Sequence, residues 1–237
     1  MVWGMSMPSG FGEFFPDGEF VGWRECLKTY YGTQMPEEQK ALFDDGRGNG
    51  ANRYAYHVSE KLKREPGSCL SQHYPPFGPV EPHETPKSFR TAKRHASLGS
   101  LVALNDSILA VDEALKGIIE RLEPGVHRFF PVETSMPGGA AFPRAHHILF
   151  IGRFFDSFSP ERSDDGSWRP DGPDHYFHEP NKKGMAGLAF SRAIFGDAHL
   201  WRERRMSSLL TCLSDELRTE IAKARLRTPK LCQMKEI

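Results

Sequence analysis

The chain has 237 residues, enough for one domain with an appendage or for two small domains, and it can bury a core without a disulfide or a metal. Its 31 basic and 31 acidic side chains balance to a formal net charge of zero. This balance argues against a nucleic-acid-binding protein, because such proteins normally carry a basic excess. The 22 glycines and 18 prolines, about one residue in six, indicate a loop-rich globular protein and exclude a disordered chain, a collagen and a coiled coil.

Residues 1–97 are rich in turn signals, among them Pro16-Asp17-Gly18 and the glycine-rich segment Gly46–Gly50. We expect an irregular N-terminal region here, with a short strand at Tyr54–Val58. Residues 98–237 show clearer periodicity and are expected to form a separate α+β domain.

The first periodic unit begins with the short apolar segment Leu101–Leu104, as expected for a buried strand. Asn105 and Asp106 follow and are good helix N-caps, because their side-chain oxygens accept hydrogen bonds from free helix amides. Apolar residues then recur at helical spacing from Ile108 to Leu122, and Pro124-Gly125 ends the predicted helix.

The second unit repeats this order. An apolar strand at Leu209–Leu213 leads to the cap Ser214-Asp215, and a helix follows that ends before Pro229. Between the units, the almost continuous apolar run from Ile148 to Phe158 indicates a strand covered on both faces. Together these patterns predict an α+β fold: a mixed, mostly antiparallel sheet with two packed helices and an irregular N-terminal segment.

A polar stretch at residues 159–184 is predicted to be an exposed loop or a long hairpin tip. It contains Asp164, Asp165, Asp171 and Asp174, with Trp168 among them. A negative patch with an aromatic anchor suits binding to a basic protein surface. The simpler interpretation of the same residues is a solvated loop.

Two histidines in this stretch, His175 and His178, have the spacing HxxH next to Asp174 and favour a metal-dependent hydrolase or nuclease as the alternative function. No third ligand stands at a spacing known for metal sites, and we therefore predict no metal and no cofactor. A second alternative, an accessory protein that binds nucleic acid through Lys87–Arg94, has only Phe89 for base stacking. Direct nucleic-acid binding is therefore not expected.

The cellular compartment is expected to be the cytoplasm. The start of a signal peptide carries basic residues, and no basic residue precedes Arg24. The longest aliphatic or aromatic run, Ile148–Ile151, is far shorter than the roughly 20 residues of a membrane span. The four cysteines are widely separated and form no CxxC pair, which indicates reduced thiols.

Several segments in a fixed order resemble the eleventh immunity-protein family of bacterial polymorphic toxin systems. The most distinctive is the string IIERLEPGVHRFFPVE at residues 118–133, with the Glu-Pro-Gly helix stop and the Phe-Phe-Pro-Val strand of that family. Gly196–Arg202 and Ser214–Leu217 are similar to two later family motifs. The resemblance covers about residues 98–233 and departs from the family pattern at Arg153–Asp156 and Arg227–Pro229.

The resemblance implies a role without catalysis. Such proteins are encoded beside a secreted toxin and protect the producing cell by binding that toxin in its cytoplasm. It therefore implies a protein partner, and neither a membrane nor a cofactor. We expect this partner to be a nuclease domain. The acidic stretch, with Asp164, Asp165, Trp168, Asp171 and Asp174, is the surface expected to contact the toxin.

Overall fold

The structure is a computed structural model that describes residues 1–179 and 182–237. The described part contains seven α-helices. They are α1 (Trp23–Thr33), α2 (Glu37–Lys40), α3 (Gly50–Lys61), α4 (Glu113–Leu122), α5 (Lys182–Ala186), α6 (Arg192–Phe195) and α7 (Asp215–Lys223).

The same residues form fourteen strands. They are β1 (Val2–Met5), β2 (Gly18–Phe20), β3 (Ser88–Thr91), β4 (Leu101–Ala103), β5 (Leu109–Asp112), β6 (Arg128–Ser135), β7 (His146–Phe150), β8 (Phe154–Phe155), β9 (Trp168–Pro170), β10 (Tyr176–His178), β11 (Ala189–Phe190), β12 (Leu200–Glu203), β13 (Thr211–Ser214) and β14 (Leu231–Glu236).

The strands form two six-stranded sheets and one hairpin. Sheet I has the order β2-β3-β6-β7-β5-β4, sheet II has the order β11-β14-β1-β13-β12-β8, and β9 pairs with β10. Most pairs are antiparallel, with parallel pairs of β3 with β6, β11 with β14 and β8 with β12. The predicted α+β class is confirmed, and the strands divide between two sheets.

The two sheets share one topology. In sheet I, β4, β5, β7 and β6 are antiparallel in succession and β3 adds parallel to β6. In sheet II, β12, β13, β1 and β14 are antiparallel in succession and β11 adds parallel to β14. Helix α4 joins β5 to β6 and α7 joins β13 to β14, each passing one intervening strand. The repeated unit seen in the sequence is therefore a repeat of fold.

The repeat has one permutation. In sheet I the intervening strand, β7, follows β6 along the chain. In sheet II the corresponding position is filled by β1, from the N-terminal residues Val2–Met5. The N-terminal region thus supplies a central strand of the C-terminal sheet. The predicted division at residue 97 stays a prediction.

Three apolar clusters stabilise this arrangement. The first lies between α1, α3 and one face of sheet I, and it contains Leu27, Val58 and Ile148. The second lies between the two sheets with α4 and α7, and it contains Leu149 and Leu217. The third covers the outer face of sheet II. Strand β7 therefore contributes alternate residues to two cores, as the apolar run predicted.

The start of the first helix differs from the prediction. Asn105 and Asp106 do not cap it; they lie in a tight turn between β4 and β5, where Asp106 has a φ of 58°. Ile108–Val111 continue into strand β5, and α4 begins at Glu113, with the Asp112 side chain accepting from the Leu115 amide over 3.0 Å. A compact run of apolar residues suits a buried strand as well as one face of a helix.

The N-terminal region is more regular than its turn signals predicted. The expected strand at Tyr54–Val58 was wrong, since these residues lie inside α3. This helix buries Glu60 and Lys61 among its apolar side chains, and buried ion pairs blur the period by which a helix is recognised. No helix in the described ranges is both long and apolar enough to cross a lipid bilayer.

Candidate functional site

The acidic stretch forms a hairpin. β9 and β10 pair with Trp168 opposite His178, and the turn is closed by the Asp171 amide, which donates to the His175 carbonyl over 2.8 Å. Residues 164–179 carry five acidic side chains and one basic one, a formal charge of −4. Of the residues singled out from the sequence, Asp164 and Asp165 precede β9 and Asp171 and Asp174 lie in the turn. We call residues 164–179 the acidic hairpin.

The four aspartates differ in what neutralises them. Asp164 forms an ion pair with Lys235 over 2.5 Å, and Asp171 accepts a hydrogen bond from the Ser207 hydroxyl. Asp165 and Asp174 are exposed, and neither side chain makes an ion pair or a hydrogen bond to any residue in the described ranges. Two carboxylates at opposite ends of the hairpin therefore remain free for a partner.

The two faces of the hairpin carry different aromatic residues. Trp168 is half-buried, and its ring packs against Tyr176 and Phe158 with centroid distances of 5.1 and 6.0 Å. The opposite face carries Phe177, with the Arg169 guanidinium 4.7 Å from its ring centre. Trp168 thus attaches the hairpin to the core of sheet II, and Phe177 lies on the outer face.

Phe177 is not among the site residues that the sequence pattern indicates. Successive residues of a strand point to opposite faces, so the inward position of His178 places Phe177 outward. The pairing of Trp168 with His178 supplies this orientation, and it becomes known only with the register of the hairpin.

The two histidines of the HxxH motif are separated by this geometry. His175 is exposed at the turn, whereas His178 is half-buried on the inner face, where burial lowers the pKa of its ring. Within the described ranges no group of three or more His, Cys, Asp or Glu side chains is placed to hold a metal ion. The described residues therefore provide no set of ligands for a metal-dependent hydrolase or nuclease.

A second feature, which the sequence analysis did not predict, is a basic pocket next to the hairpin. It is a cavity of about 360 Å³ between α3, the end of β1, the β12–β13 connection and His178. Its charged lining residues are Glu60, Lys63, Arg64 and Arg202. The dense charge of Glu60–Arg64 was its only signal in the sequence, and such a run is usually a solvated helix surface.

The carboxylate of this pocket is shared by two cations. Glu60 accepts hydrogen bonds from Lys63 Nζ over 2.5 Å and from Arg64 Nε over 2.8 Å. Burial raises the pKa of Glu60, but the two cations outweigh burial and hold the pKa below its ordinary value. Glu60 is therefore ionised at neutral pH and offsets one of the positive charges.

Arg202 is the third cation and has no carboxylate of its own. It is 6% exposed, and its Nη1 donates to the Leu209 carbonyl over 2.9 Å and to Thr211 Oγ1 over 3.2 Å. None of the described carboxylates lies within 4 Å of it. Burial, together with the nearby positive charge of Arg64, lowers the pKa of Arg202 to about 10. The pocket carries a formal charge of +2.

The segments that carry the family resemblance meet in the structure. At the end of α4, the Glu123 carboxylate accepts from the backbone amides of His199 and Leu200, over 3.0 and 2.9 Å. Glu123 belongs to the Glu-Pro-Gly stop, and the two amides belong to the Gly196–Arg202 motif. These two distant motifs thus meet in one buried contact between the end of α4 and the start of β12.

The comparison with known families agrees with this geometry. The model of a family described as Immunity protein family (Imm11) matches residues 36–236, more than four fifths of the chain. The match begins further toward the N-terminus than the resemblance, and it includes α3, the acidic hairpin and every strand of the two sheets except β1 and β2. No curated protein matches the chain. The extent of the family match confirms the resemblance, and the chain belongs to the Imm11 immunity protein family.

Proposed function

We propose that this chain is the immunity protein of a polymorphic toxin system used in competition between bacteria. It binds its cognate toxin domain in the cytoplasm of the producing cell and blocks it by occlusion, without catalysing a reaction. The observation that carries this proposal is the family match over residues 36–236.

The acidic hairpin is the surface proposed to meet the toxin. Its free carboxylates, Asp165 and Asp174, would attract a basic partner, and its outer face offers Phe177 stacked with Arg169. Aromatic and arginine side chains are the commonest anchors of tight interfaces, and complementary charge raises the association rate. A nuclease domain fits this surface, because it must carry a basic face for its own substrate.

The hairpin alone is too small for tight binding. A stable complex buries about 1,600 Å² in total, or about 800 Å² on each partner, which requires neighbouring segments as well. Asp164 and Asp171 are paired within the protein and would hold the hairpin in shape. We assign them to the edge of the interface, with Trp168 beneath them as a support.

The experiment that tests the function is a rescue of growth. The adjacent gene is induced in a bacterium that lacks this system, with and without this chain, and the complex is then purified. The proposal requires growth arrest that this chain relieves, together with a co-purifying complex. Arrest without relief, or a harmless neighbouring gene product, would overturn it.

The surface assignment is tested separately on the purified pair. The double variant Asp165→Lys with Asp174→Lys is compared with Asp197→Lys, an aspartate that is 99% exposed and pairs with Arg192 away from the hairpin. We expect the double variant to slow association about tenfold at low salt, and the control to leave it unchanged. Equal association rates would reject this surface while leaving the immunity function intact.

A further inference from the structure

The basic pocket has the features of an anion site that the immunity function does not use. Glu60 lies on α3, Lys63 and Arg64 follow the end of that helix, and Arg202 lies on β12; all four side chains line this one cavity. We propose that this pocket binds a small phosphate-bearing molecule of about mononucleotide size. The phosphate would be held between Arg202 and the pair Lys63 and Arg64.

One edge of the Arg202 guanidinium has no partner among the described residues. The Leu209 carbonyl and Thr211 hydroxyl hold Nη1, whereas Nε and Nη2 make no hydrogen bond to the described residues. Arg202 lines the cavity, and this edge is the part of its guanidinium that the neighbouring side chains and carbonyls leave for a ligand. The Nε–Nη2 edge presents two parallel N–H groups, which is the geometry that binds two oxygens of a phosphate.

The pocket also has an unbalanced positive charge. A buried cation without a counter-ion is costly, because its lost hydration is not replaced by an opposite charge. Glu60 is occupied by Lys63 and Arg64, so it leaves the pocket with a formal charge of +2. A phosphate monoester carries about −1.5 to −2 at pH 7 and would balance this charge more closely than a single carboxylate would.

The size of the cavity and the rest of its lining suit a small phosphate-bearing molecule. A cavity of about 360 Å³ lies within the range of small-molecule sites, roughly 300–1,000 Å³. Beyond the charged side chains it is lined by Met5 and Leu210, with the half-exposed ring of Tyr56 among them. The lining also includes five hydroxyl-bearing residues, namely Ser6, Ser107, Ser207, Ser208 and Thr211. The Tyr56 ring is the part on which the base of a nucleotide would stack.

The binding experiment uses the full chain and isothermal titration calorimetry. The probes are AMP, adenosine, inorganic phosphate and pyrophosphate, each added up to millimolar concentration. We expect AMP to bind at least tenfold more tightly than adenosine, and inorganic phosphate to compete with AMP. Phosphate binding as tightly as AMP would identify free phosphate as the ligand. AMP binding no better than adenosine, or no binding of any phosphate, would overturn the proposal.

Variants locate the site. Arg64→Gln removes one charge from the half-buried wall of the pocket, and Arg202→Lys keeps the charge but removes the two-pronged edge. The matched control is Arg121→Gln, an exposed arginine on α4 that pairs with Glu220. We expect each pocket variant to weaken AMP binding about tenfold, the usual effect of losing one charge-assisted hydrogen bond, and the control to bind normally.

Folding of each variant is checked by circular dichroism, because Arg202 is buried. If Arg202→Lys fails to fold, Arg64→Gln decides the question on its own, since that side chain is 32% exposed and can be replaced without opening the core. Normal AMP binding by a folded Arg64→Gln variant, or an equal loss in Arg121→Gln, would overturn the assignment.

Discussion

His127 donates from Nε2 to the Glu123 carboxylate over 2.7 Å, and the Gly152 amide donates to the other ring nitrogen over 3.1 Å. Because Nδ1 is an acceptor in this contact, the ring proton lies on Nε2 and points at the carboxylate. The same carboxylate accepts from the amides of His199 and Leu200. One buried side chain thus joins the end of α4, the segment after β7 and the start of β12.

The first prediction concerns the charge of Glu123. Burial raises its pKa, but hydrogen bonds from His127 and the His199 amide, together with the charge of Arg153, hold the pKa below its ordinary value. Glu123→Gln removes the charge. It also replaces one acceptor oxygen by an NH₂ group, which cannot accept a hydrogen bond from the amides of His199 and Leu200. We expect a loss of about 3 kcal/mol in the free energy of unfolding, measured in urea at pH 7.

The control for this variant is Glu120→Gln, which changes an exposed carboxylate on the same helix and should alter stability by less than about 0.5 kcal/mol. The lowered pKa of Glu123 also determines how the stability of the protein changes with pH. A lowered folded pKa contributes stability that is present above pH 4.5 and is lost as the pH falls through the folded value. Equal unfolding midpoints for the two variants would contradict this role of Glu123.

The second prediction uses a pair of glycines. A Cβ atom added at Gly152 would lie 1.9 Å from the Val126 carbonyl oxygen, so the chain must shift next to His127. We expect Gly152→Ala to cost about 3 kcal/mol. Gly117 lies within α4, where an added Cβ meets nothing within 4 Å, and Gly117→Ala should stabilise the protein by about 1 kcal/mol. Thermal unfolding of both variants tests this, and a tolerated Gly152→Ala would refute the close approach.

The third prediction concerns the pH dependence of stability. Glu203 is fully buried, and burial raises its pKa to about 7 despite hydrogen bonds from the Ser157 hydroxyl and amide. A raised folded pKa means that the native state binds the proton more tightly than the unfolded chain does. Stability from this group is therefore complete below pH 4.5 and is lost as the pH rises toward 7.

The loss between those values is about 3 kcal/mol, since each pKa unit corresponds to about 1.4 kcal/mol. Glu203→Gln should remove this slope, whereas Glu38→Gln, which alters an exposed carboxylate of α2, should keep it. Urea unfolding at several values between pH 4.5 and 8 measures the slope. A Glu203→Gln profile that matches the unmodified protein would show that this carboxylate is not the cause.

The fourth prediction separates the two aromatic residues of the acidic hairpin. Trp168 packs against Phe158 and Tyr176, so Trp168→Ala should cost about 2 kcal/mol of stability. Phe177 lies on the outer face, and Phe177→Ala should cost less than about 1 kcal/mol while weakening toxin binding at least tenfold. Stability is measured by thermal unfolding and affinity by surface plasmon resonance. Unchanged affinity in Phe177→Ala would remove this residue from the interface.

Local patterns in the sequence predicted the elements whose structure depends on near neighbours. Helix α7 begins as expected: the Ser214 hydroxyl accepts from the Leu217 amide over 3.1 Å, and the helix ends before Pro229. Pro131 has no N–H to donate, which suits a position with a strand on one side only, and it lies in the part of β6 that pairs with β7 but not with β3. Both signals are short-range, because a cap and a proline act within one turn or one strand.

Helix and strand predictions were wrong where the apolar residues of one segment fitted both the helical period and the strand period. Ile108 and Val111 continue the helical spacing of α4, but Val111 pairs with Leu101 and with His147 inside sheet I. Tyr54–Val58 has the composition of a strand and lies in α3, packed between α1 and sheet I. In both cases, partners far along the chain selected one structure from two that the local sequence allowed.

The sequence by itself determined the α+β class, the repeated strand–helix–strand unit and the family. Tertiary structure alone decided that Val2–Met5 fill the middle of sheet II, that Phe177 faces outward, and that Arg202 meets Lys63 and Arg64 around one cavity. Caps, turns and apolar periods are encoded within a few residues. A pocket or an interface is formed by contacts between segments separated by a hundred residues or more. Its charges contribute strongly to the energy only when burial removes water from around them.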